Sequence, residues 1–320
     1  HMFTVGLGPV ADSPFALVTM FIAVPTGIKI FNWIATLWGG SIRLNPAMLF
    51  SLSFVAMFII GGISGVMHAV APSDTQQSDT YFIVAHLHYV LFGGSMLGLF
   101  SGIYYWWPKI TGRMMNELLG KIHFWLTFIG FNVTFFPMHF LGLDGMPRRI
   151  YTYAESQGWE FWNAFSTVGV FLLGLGLIVF LQNVVHSLRH GEKAGNDPWD
   201  GRTLEWTMAS PPPEYNFATI PTVKSRDAHW NEKYSQGDDG RPVPVVRGAA
   251  PEEVEVHDIH MPTPSFYPLI VAVGLTLIAG GLISHLAVSI VGGILAIAAI
   301  YGWAFEPATV PKSEGVHGAH

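Results

Sequence analysis

Two histidines, His86 and His88, lie inside a strongly apolar stretch, Thr80–Leu91, and are the residues best suited to chemistry. Ionisable side chains are costly inside a membrane and usually mark function there. Two residues along an α-helix correspond to about 200° of rotation, so the two imidazoles point to opposite sides and cannot easily share one metal. Each could instead bind its own cofactor through a neutral ring nitrogen. The alternative is a pair of buried histidines hydrogen-bonded to neighbouring helices.

A threonine and a lysine in the first apolar stretch suggest proton transfer. Thr26 and Lys29 are three residues apart and therefore share one face of a helix. Hydroxyl, ammonium and trapped water on that face could pass protons along the helix. The alternative is a lysine that extends its ammonium group to the cytoplasmic membrane surface.

Two adjacent arginines between later apolar stretches suggest anion binding. Arg148 and Arg149 are adjacent, and neighbouring guanidinium groups bind carboxylates through charge-assisted, often bidentate contacts. Taken alone, this pair would be read as ordinary surface arginines.

The composition is typical of a membrane protein. Half of the 320 residues are hydrophobic, 12% are charged and the mean hydropathy is +0.39, whereas a soluble domain carries roughly a quarter charged residues. The chain has no cysteine, which excludes disulfides, thiolate-bound metals and iron–sulfur clusters held by this chain alone. The net charge of −6 gives no indication of nucleic-acid binding.

Apolar runs of about 20 residues, the length needed to cross a bilayer as a helix, predict an all-α polytopic membrane protein. About seven transmembrane helices are expected, at 13–37, 47–70, 80–107, 120–142, 160–186, 265–284 and 286–304. The chain is accordingly divided into core helices 1–186, a polar cytoplasmic linker 187–264, a helical hairpin 265–304 and a tail 305–320.

Basic residues in the short loops predict which side faces the cytoplasm. One side carries Arg43, Lys109, Arg113, Lys121, Arg189 and Lys193. The opposite side carries only Arg148 and Arg149 as basic residues. The first side is therefore predicted to be cytoplasmic, and the arginine pair is a candidate for binding an anionic group.

The run Asp79–Leu91, DTYFIVAHLHYVL, closely resembles the signature of subunit I of the haem–copper oxidases. Further resemblance lies in His1–Gly6, Val24–Trp33, Phe135–Arg149 and Leu204–Phe217. The resemblance implies the later helices of a twelve-helix oxidase core, followed by a C-terminal helical hairpin. It points to bacterial oxidases of the cytochrome-c-oxidising, long-tailed kind.

The same resemblance implies a role for each catalytic candidate. His86 would bind the high-spin haem beside copper, and His88 would be one axial ligand of the low-spin haem. His1 would bind copper, although a His-Met start also occurs as a cloning remnant. Lys29 with Thr26 would form the lysine proton pathway that supplies the oxygen-reducing site.

The resemblance also implies roles for the charged residues. Arg148, Arg149 and Asp74 would lie in the region of the haem propionates. Asp79 would help bind magnesium or manganese, but Ser78 stands where many members have histidine, and a hydroxyl is a weaker ligand. Both haems are expected to be haem A. The remaining histidines are expected to be structural or surface residues, with His123 and His139 as candidates to lie near a haem: His68, His123, His139, His186, His257 and His260.

The resemblance implies a cytochrome c oxidase that reduces O2 to water, coupled to proton uptake and translocation, in the inner membrane of a bacterium. The expected partners are the N-terminal part of the same subunit, a subunit II with a dinuclear copper site, subunit III, cytochrome c and membrane lipid, with no nucleic acid. Several copper and haem ligands of the family have no counterpart here, so we expect a fragment, a split subunit or a truncated product.

Three other interpretations stay open. A quinol oxidase would differ by lacking the dinuclear copper site in its partner subunit. A non-catalytic membrane subunit would bind haem poorly or not at all, and a proton-conducting transporter would use His86 and His88 as relays without iron. Nitric oxide reduction is disfavoured because Lys29 with Thr26 resembles the oxygen-reducing branch.

Overall fold

The structure is a computed structural model that describes residues 2–218, 220–238, 240–245 and 262–307. The predictions for His1, His257 and His260 lie outside the described residues, as does most of the predicted tail. The described chain forms two units that divide between Pro211 and Pro212. Each unit is described by itself.

The first unit is helical throughout. Its helices are α1 (Pro9–Leu37), α2 (Pro46–Ala69), α3 (Ala71–Gln77), α4 (Tyr81–Val90), α5 (Leu97–Thr111), α6 (Glu117–Phe135), α7 (Pro137–Leu143) and α8 (Glu160–His190). A π-helical turn at Leu91–Met96 joins α4 to α5, and 3-10 turns occur at Met2–Thr4, Glu155–Gln157 and Leu204–Thr207.

The second unit contains the C-terminal hairpin and a small antiparallel ribbon that the sequence did not predict. Its elements are α9 (Ala228–Lys233), β1 (Tyr234–Gln236), β2 (Pro242–Pro244), α10 (Tyr267–Ile283) and α11 (Leu286–Ala304). His285 lies between α10 and α11 and caps α11 by accepting a hydrogen bond from the Ala287 amide at 3.2 Å. This is the turn position expected from the sequence.

The prediction of an all-α polytopic membrane protein is confirmed. Within the described residues, six helical stretches are long and apolar enough to cross a membrane: Pro9–Leu37, Pro46–Ala69, Tyr81–Thr111, Glu117–Leu143, Glu160–His190 and Leu286–Ala304. The remaining predicted span is the apolar helix Tyr267–Ile283, which has 17 residues. It is slightly shorter than the roughly 20 residues a span needs, so a seventh crossing stays a prediction.

Local sequence signals explain where several helices begin and end. The side chains of Asn45, Thr80 and Asn116 each cap a helix by accepting a hydrogen bond from a backbone N–H of its first turn. Gly112 ends α5 with a positive φ of 70°, a backbone conformation that glycine adopts without a steric penalty.

Aromatic side chains fill the core between α2, α5 and α6. Phe50 and Phe131 are fully buried, and the Phe50 ring lies edge-on to Phe124 with centroids 5.2 Å apart. Edge-to-face ring pairs are favourable beyond the area that they bury. In contrast, α1 has no buried residue. Its apolar surface is therefore left for lipid or for other protein to cover.

Glycines allow α6 and α8 to approach closely. A Cβ atom added at Gly130 would lie 3.0 Å from the Gly169 carbonyl oxygen, and one added at Gly176 would lie 2.8 Å from Thr127 Oγ1. Small residues at helix contacts let two backbones approach within a membrane.

The segment that follows α8 folds back onto the end of α5. The Lys109 ammonium is buried and donates hydrogen bonds to the carbonyl oxygens of Asn196 at 3.0 Å and Met208 at 2.7 Å. Trp206 is 1% exposed, and its indole N–H donates to the Tyr105 hydroxyl at 3.1 Å. These contacts place residues 191–211 in the first unit.

Glu205 lies in the same segment, outside the membrane spans. Burial raises the pKa of this carboxyl, but hydrogen bonds from Thr203, a backbone N–H and Trp106, together with the Lys109 charge, outweigh that effect. The net result is a pKa below its usual range, because the contacts favour the charged form.

Candidate functional site

His86 is fixed by α2. Its Nδ1 atom lies 3.0 Å from the Gly61 carbonyl oxygen and 2.9 Å from Ser64 Oγ. A carbonyl can only accept a hydrogen bond, so Nδ1 carries the proton, and the lone pair of the neutral ring lies on Nε2. A metal-binding histidine normally has this arrangement, in which the second nitrogen donates to a backbone carbonyl.

His88 is fixed within its own helix and faces α6. Its Nδ1 atom lies 2.7 Å from the Val84 carbonyl oxygen, one turn earlier in α4. Its ring stacks on Phe135 with centroids 4.1 Å apart and an interplanar angle of 13°. By the same reasoning, Nε2 of His88 is the unprotonated nitrogen. The His86 imidazole thus contacts α2 and the His88 imidazole contacts α6, and each keeps one nitrogen free to act as a metal ligand.

A cleft of about 500 Å³ lies between α1 and α2 beside His86. Its walls are mainly apolar, and Gly61 and Gly65 lie on the α2 side. A Cβ atom added at Gly65 would lie 3.1 Å from His86 Cε1, so glycine leaves the space that the imidazole occupies. A large apolar cleft beside a ring nitrogen that can bind metal fits a haem group.

Thr26 and Lys29 line a neighbouring cleft of about 380 Å³ together with Ser95 of the π-helical turn. Thr26 also lines the cleft that contains His86. The Lys29 ammonium lies 5.4 Å from the centroid of the Trp33 ring. The structure therefore brings the threonine and the lysine together, with Thr26 shared by the two clefts.

The arginine pair lies beside the start of α4. Arg148 forms an ion pair with Asp79, and its backbone N–H donates to the Asp79 carbonyl oxygen at 2.9 Å. Arg148 Nε is buried and has no hydrogen-bond partner among the described residues. This free donor fits a carboxylate from a bound group, because buried polar atoms are normally paired.

Asp79 and Arg149 have positive φ angles of 62° and 68°, which are uncommon for residues other than glycine. The Asp79 carboxylate is bound by Arg148, and Ser78 Oγ is buried without a hydrogen-bond partner among the described residues. No group of three or more histidine, cysteine, aspartate or glutamate side chains in the described part of the chain could hold a metal ion. A cation at Asp79 would therefore compete with Arg148.

Asp74 lies beside His68 and not beside the arginine pair. The sequence had predicted that His68 is a structural or surface residue. Asp74 is 2% exposed, and its Oδ1 atom lies 3.2 Å from Nδ1 of His68. The His68 ring lies 4.9 Å from the His86 ring, between centroids, and lines the same cleft. Nothing in the sequence indicated that His68 and Asp74 are neighbours, because the turn from α2 into α3 is what brings Asp74 back to His68.

The other histidines differ in surroundings. His123 is 1% exposed, and its Nδ1 lies 3.1 Å from the Tyr104 hydroxyl in the aromatic core. His139 is partly buried, with Nδ1 3.1 Å from the Phe136 carbonyl oxygen, and its ring lies edge-on to Phe82. His186 is exposed on α8, and its ring is tilted against that of His190 with centroids 5.3 Å apart.

Six apolar spans among the described residues, one of which carries two imidazoles that contact different neighbouring groups, define a polytopic membrane protein. A family profile described as "Cytochrome C and Quinol oxidase polypeptide I" matches residues 1–172. The chain belongs to this family, subunit I of the haem–copper oxidases. Membership implies haem and copper as cofactors and a place in a multisubunit membrane complex.

Curated relatives support this membership. The chain is 49% identical over 308 residues to cytochrome c oxidase subunit 1 of Bacillus sp. (strain PS3), covering 94% of this chain and 48% of that protein. It is 51% identical over 284 residues to cytochrome c oxidase subunit 1 of Bacillus subtilis, covering 88% and 44%. Quinol oxidase subunit 1 of Bacillus subtilis is 43% identical over 286 residues, covering 88% and 42%. The chain thus spans about half the length of the curated relatives it matches.

A solved structure shows the same fold. A chain of a haem–copper terminal oxidase dimer, solved by cryo-electron microscopy, matches with a TM-score of 0.52 and 20% sequence identity. The match covers 61% of this chain and 39% of that chain.

Proposed function

We propose that this chain supplies the haem-binding part of the catalytic subunit of a respiratory cytochrome c oxidase. The complex would reduce O2 to water with electrons from cytochrome c and couple this reaction to proton uptake and translocation. The observation that carries the proposal is the pair of imidazoles on α4, each with its Nδ1 proton donated to a backbone carbonyl. When bound, the haem groups would supply the electron-transfer and oxygen chemistry.

The two imidazoles would hold different haems. His86 would bind the haem of the catalytic site through Nε2, since it lines the cleft between α1 and α2. His88 would bind the electron-transfer haem on the opposite side, next to Phe135. His1 remains the proposed copper ligand. The assignment of both groups as haem A rests on the family resemblance alone.

Thr26 and Lys29 would bring protons to the catalytic cleft. Their cleft shares Thr26 with that of His86, so a proton held at Lys29 would need few further carriers. The arginine pair would bind the acidic edge of the haems, with Arg148 Nε as the donor left for that purpose, and Asp74 would lie in the same region. Magnesium or manganese at Asp79 is retained as a proposal that requires Arg148 to move.

The proposed donor and partners follow from the relatives. The cytochrome c oxidase subunits are 49% and 51% identical to this chain, and the quinol oxidase subunit is 43% identical. We therefore favour cytochrome c, delivered through a subunit II with a dinuclear copper site, over quinol. The rest of subunit I and a subunit III would complete the complex in the inner membrane of a bacterium.

An optical spectrum tests the proposal. In the detergent-solubilised complex that contains this chain, the reduced-minus-oxidised spectrum should show two haems, and carbon monoxide should shift one of them. His86→Ala should reduce the carbon monoxide-sensitive band at least tenfold, because an open haem has one protein ligand to lose. His88→Ala should instead abolish the other band.

His186→Ala is the matched control, since this histidine is exposed on α8. It should leave both bands unchanged. The absence of haem bands in the intact complex would contradict the proposal and favour a non-catalytic subunit or a transporter. Oxidation of quinol but not of cytochrome c would support the alternative donor.

A further inference from the structure

A buried histidine and aspartate form a polar pair at the outer end of α2. The side chains of His68 and Asp74 are 10% and 3% exposed. Asp74 Oδ1 lies 3.2 Å from His68 Nδ1, which is close enough for electrostatic attraction but not aligned as a hydrogen bond. An aspartate beside one ring nitrogen of a histidine orients the ring and leaves the other nitrogen for a different partner.

This pair shares the cleft between α1 and α2 with His86. The centroids of the His68 and His86 rings are 4.9 Å apart, and both residues line the cleft. Phe82 lies edge-on to His68 at 5.4 Å between centroids. The position of His68 is therefore fixed on one side by an aromatic ring and on another by a carboxylate.

His68 Nε2 and Asp74 Oδ2 are both buried and have no hydrogen-bond partner among the described residues. Other polar groups along this cleft are already paired. Thr19 Oγ1 and Thr26 Oγ1 donate to carbonyl oxygens one turn earlier in α1, and His86 Nδ1 donates to Gly61. Because unpaired buried polar atoms are unfavourable, a group that occupies the cleft is the partner that His68 Nε2 lacks among the described residues.

We propose that His68, protonated on both ring nitrogens between Asp74 and a carboxylate of the haem that His86 binds, donates a hydrogen bond from Nε2 to that haem carboxylate. This inference rests on the proposed function, because it requires haem in that cleft. A haem carries acidic side chains at one edge, and a histidine next to an aspartate is a good donor to such a group. His68 is thus a positioning residue, separate from Arg148, and acts on the potential of the haem by offsetting carboxylate charge.

The test uses the complete complex that contains this chain, with the variants His68→Leu and His68→Gln. Leucine matches the apolar surroundings and removes the donor, whereas glutamine keeps an N–H. The midpoint potential of the carbon monoxide-sensitive haem should fall in His68→Leu, since an unneutralised carboxylate favours oxidised iron. The resonance Raman band from propionate bending should shift in the same variant. His68→Gln should show a smaller change in both.

The control is His186→Leu, on the exposed face of α8, which should change neither the potential nor the Raman band. An unchanged potential and Raman band in His68→Leu would overturn the inference, and so would equal shifts in His68→Leu and His68→Gln. If His68→Leu fails to assemble, Asp74→Asn provides the second measurement, because it keeps the volume and removes the orienting charge. A lower potential in Asp74→Asn would support the inference, and an unchanged one would overturn it.

These outcomes are distinct from failure of the proposed function. If the unmodified complex contained no carbon monoxide-sensitive haem, both the proposed function and this inference would be wrong. If that haem is present and is lost in His86→Ala, but its potential and Raman band are unchanged in His68→Leu, only the inference is wrong.

Discussion

At the scale of single residues, the tautomers of two imidazoles decide what the site can hold. Each Nδ1 is committed to a backbone carbonyl, one contributed by α2 and one by α4 itself. The lone pair on each ring is thereby placed on Nε2 before any metal binds. This arrangement would allow one short helix to serve the two proposed metal centres without a shared ligand.

Lys29 is the residue whose loss should separate proton supply from haem binding. We expect Lys29→Met to reduce oxygen consumption at least tenfold while leaving both haem spectra intact, since positioned proton donors contribute about 10²–10⁴-fold to rates. Thr26→Val should act in the same direction and more weakly, because it removes one hydroxyl. Oxygen consumption and reduced-minus-oxidised spectra of the purified complex measure both effects.

Lys121 and Thr36 provide matched controls. Lys121 forms an exposed ion pair with Glu117, and the Thr36 hydroxyl bonds to the Asn32 carbonyl on an exposed face of α1. Lys121→Met and Thr36→Val should keep normal turnover. Normal turnover in Lys29→Met would instead favour the interpretation of an ammonium group that merely reaches the membrane surface.

The sequence predicted the parts of the site that depend on local geometry. The opposite orientations of His86 and His88 follow from the rotation of a helix, and Thr26 and Lys29 follow from one helical turn. The contact between His68 and Asp74 could not be predicted in this way. It depends on α3 returning Asp74 to the end of α2, and such a contact between elements has no periodic signal in the sequence.

At the scale of elements, the long helices were predictable and the short ones were not. Apolar runs predicted the six confirmed spans, because a bilayer imposes a minimum apolar length on a helix. The break between α6 and α7 at Pro137 and the separate helix α3 were missed. Helices α3 and α7 are each seven residues long, which is too short to give a hydropathy signal of their own.

Lys109 should control the docking of residues 191–211. We expect Lys109→Met to weaken this docking by about 2 kcal/mol or more, since hydrogen bonds to a charged donor are worth about 1.5–3 kcal/mol each and three carbonyl oxygens lose theirs. Faster proteolytic cleavage within 191–211 would report the change. Lys121→Met, which removes a lysine in an exposed pair, should leave the cleavage rate unchanged, and equal rates in both variants would contradict the prediction.

The contact between α6 and α8 should be intolerant of larger residues. A Cβ atom at Gly130 would lie 2.8 Å from the Leu173 backbone nitrogen, so Gly130→Val should destabilise the chain by about 2 kcal/mol through overpacking. Thermal unfolding of the complex in detergent should then begin several degrees lower.

Gly174→Val supplies the comparison, since it places the same β-branched residue in α8, the other helix of this pair. A Cβ atom at Gly174 would meet no atom within 4 Å. This variant should shift the unfolding temperature little. A similar decrease for Gly130→Val and Gly174→Val would show that helix propensity, not close packing, sets the effect.

At the scale of the whole molecule, the distribution of basic residues predicts the topology. The chain contains no cysteine, so a single introduced thiol can be labelled without background on this subunit. Tyr151 is 99% exposed before α8, and Gly195 is exposed after it. In intact cells, a membrane-impermeant maleimide should label Tyr151→Cys, and it should label Gly195→Cys only after permeabilisation. The reverse pattern would contradict the assignment of the basic loops to the cytoplasm.

Helix α1 is mostly exposed along its whole length. A 29-residue apolar helix with no buried residue lacks a protein neighbour over most of its circumference. The chain spans about half the length of its curated relatives. In the proposed oxidase, protein outside the described residues would cover α1 and supply the remaining ligands of the haem and copper sites.

The π-helical turn at Leu91–Met96 bears on how such a chain can change during evolution. Each hydrogen bond in a π-turn spans one residue more than in an α-turn, so the turn stores one additional residue between α4 and α5. Deleting one residue there could close the turn to an ordinary helix without rotating either end. An insertion between His86 and His88 would instead turn one imidazole by about 100°. Length variation should therefore be tolerated at the π-turn and eliminated by selection between His86 and His88.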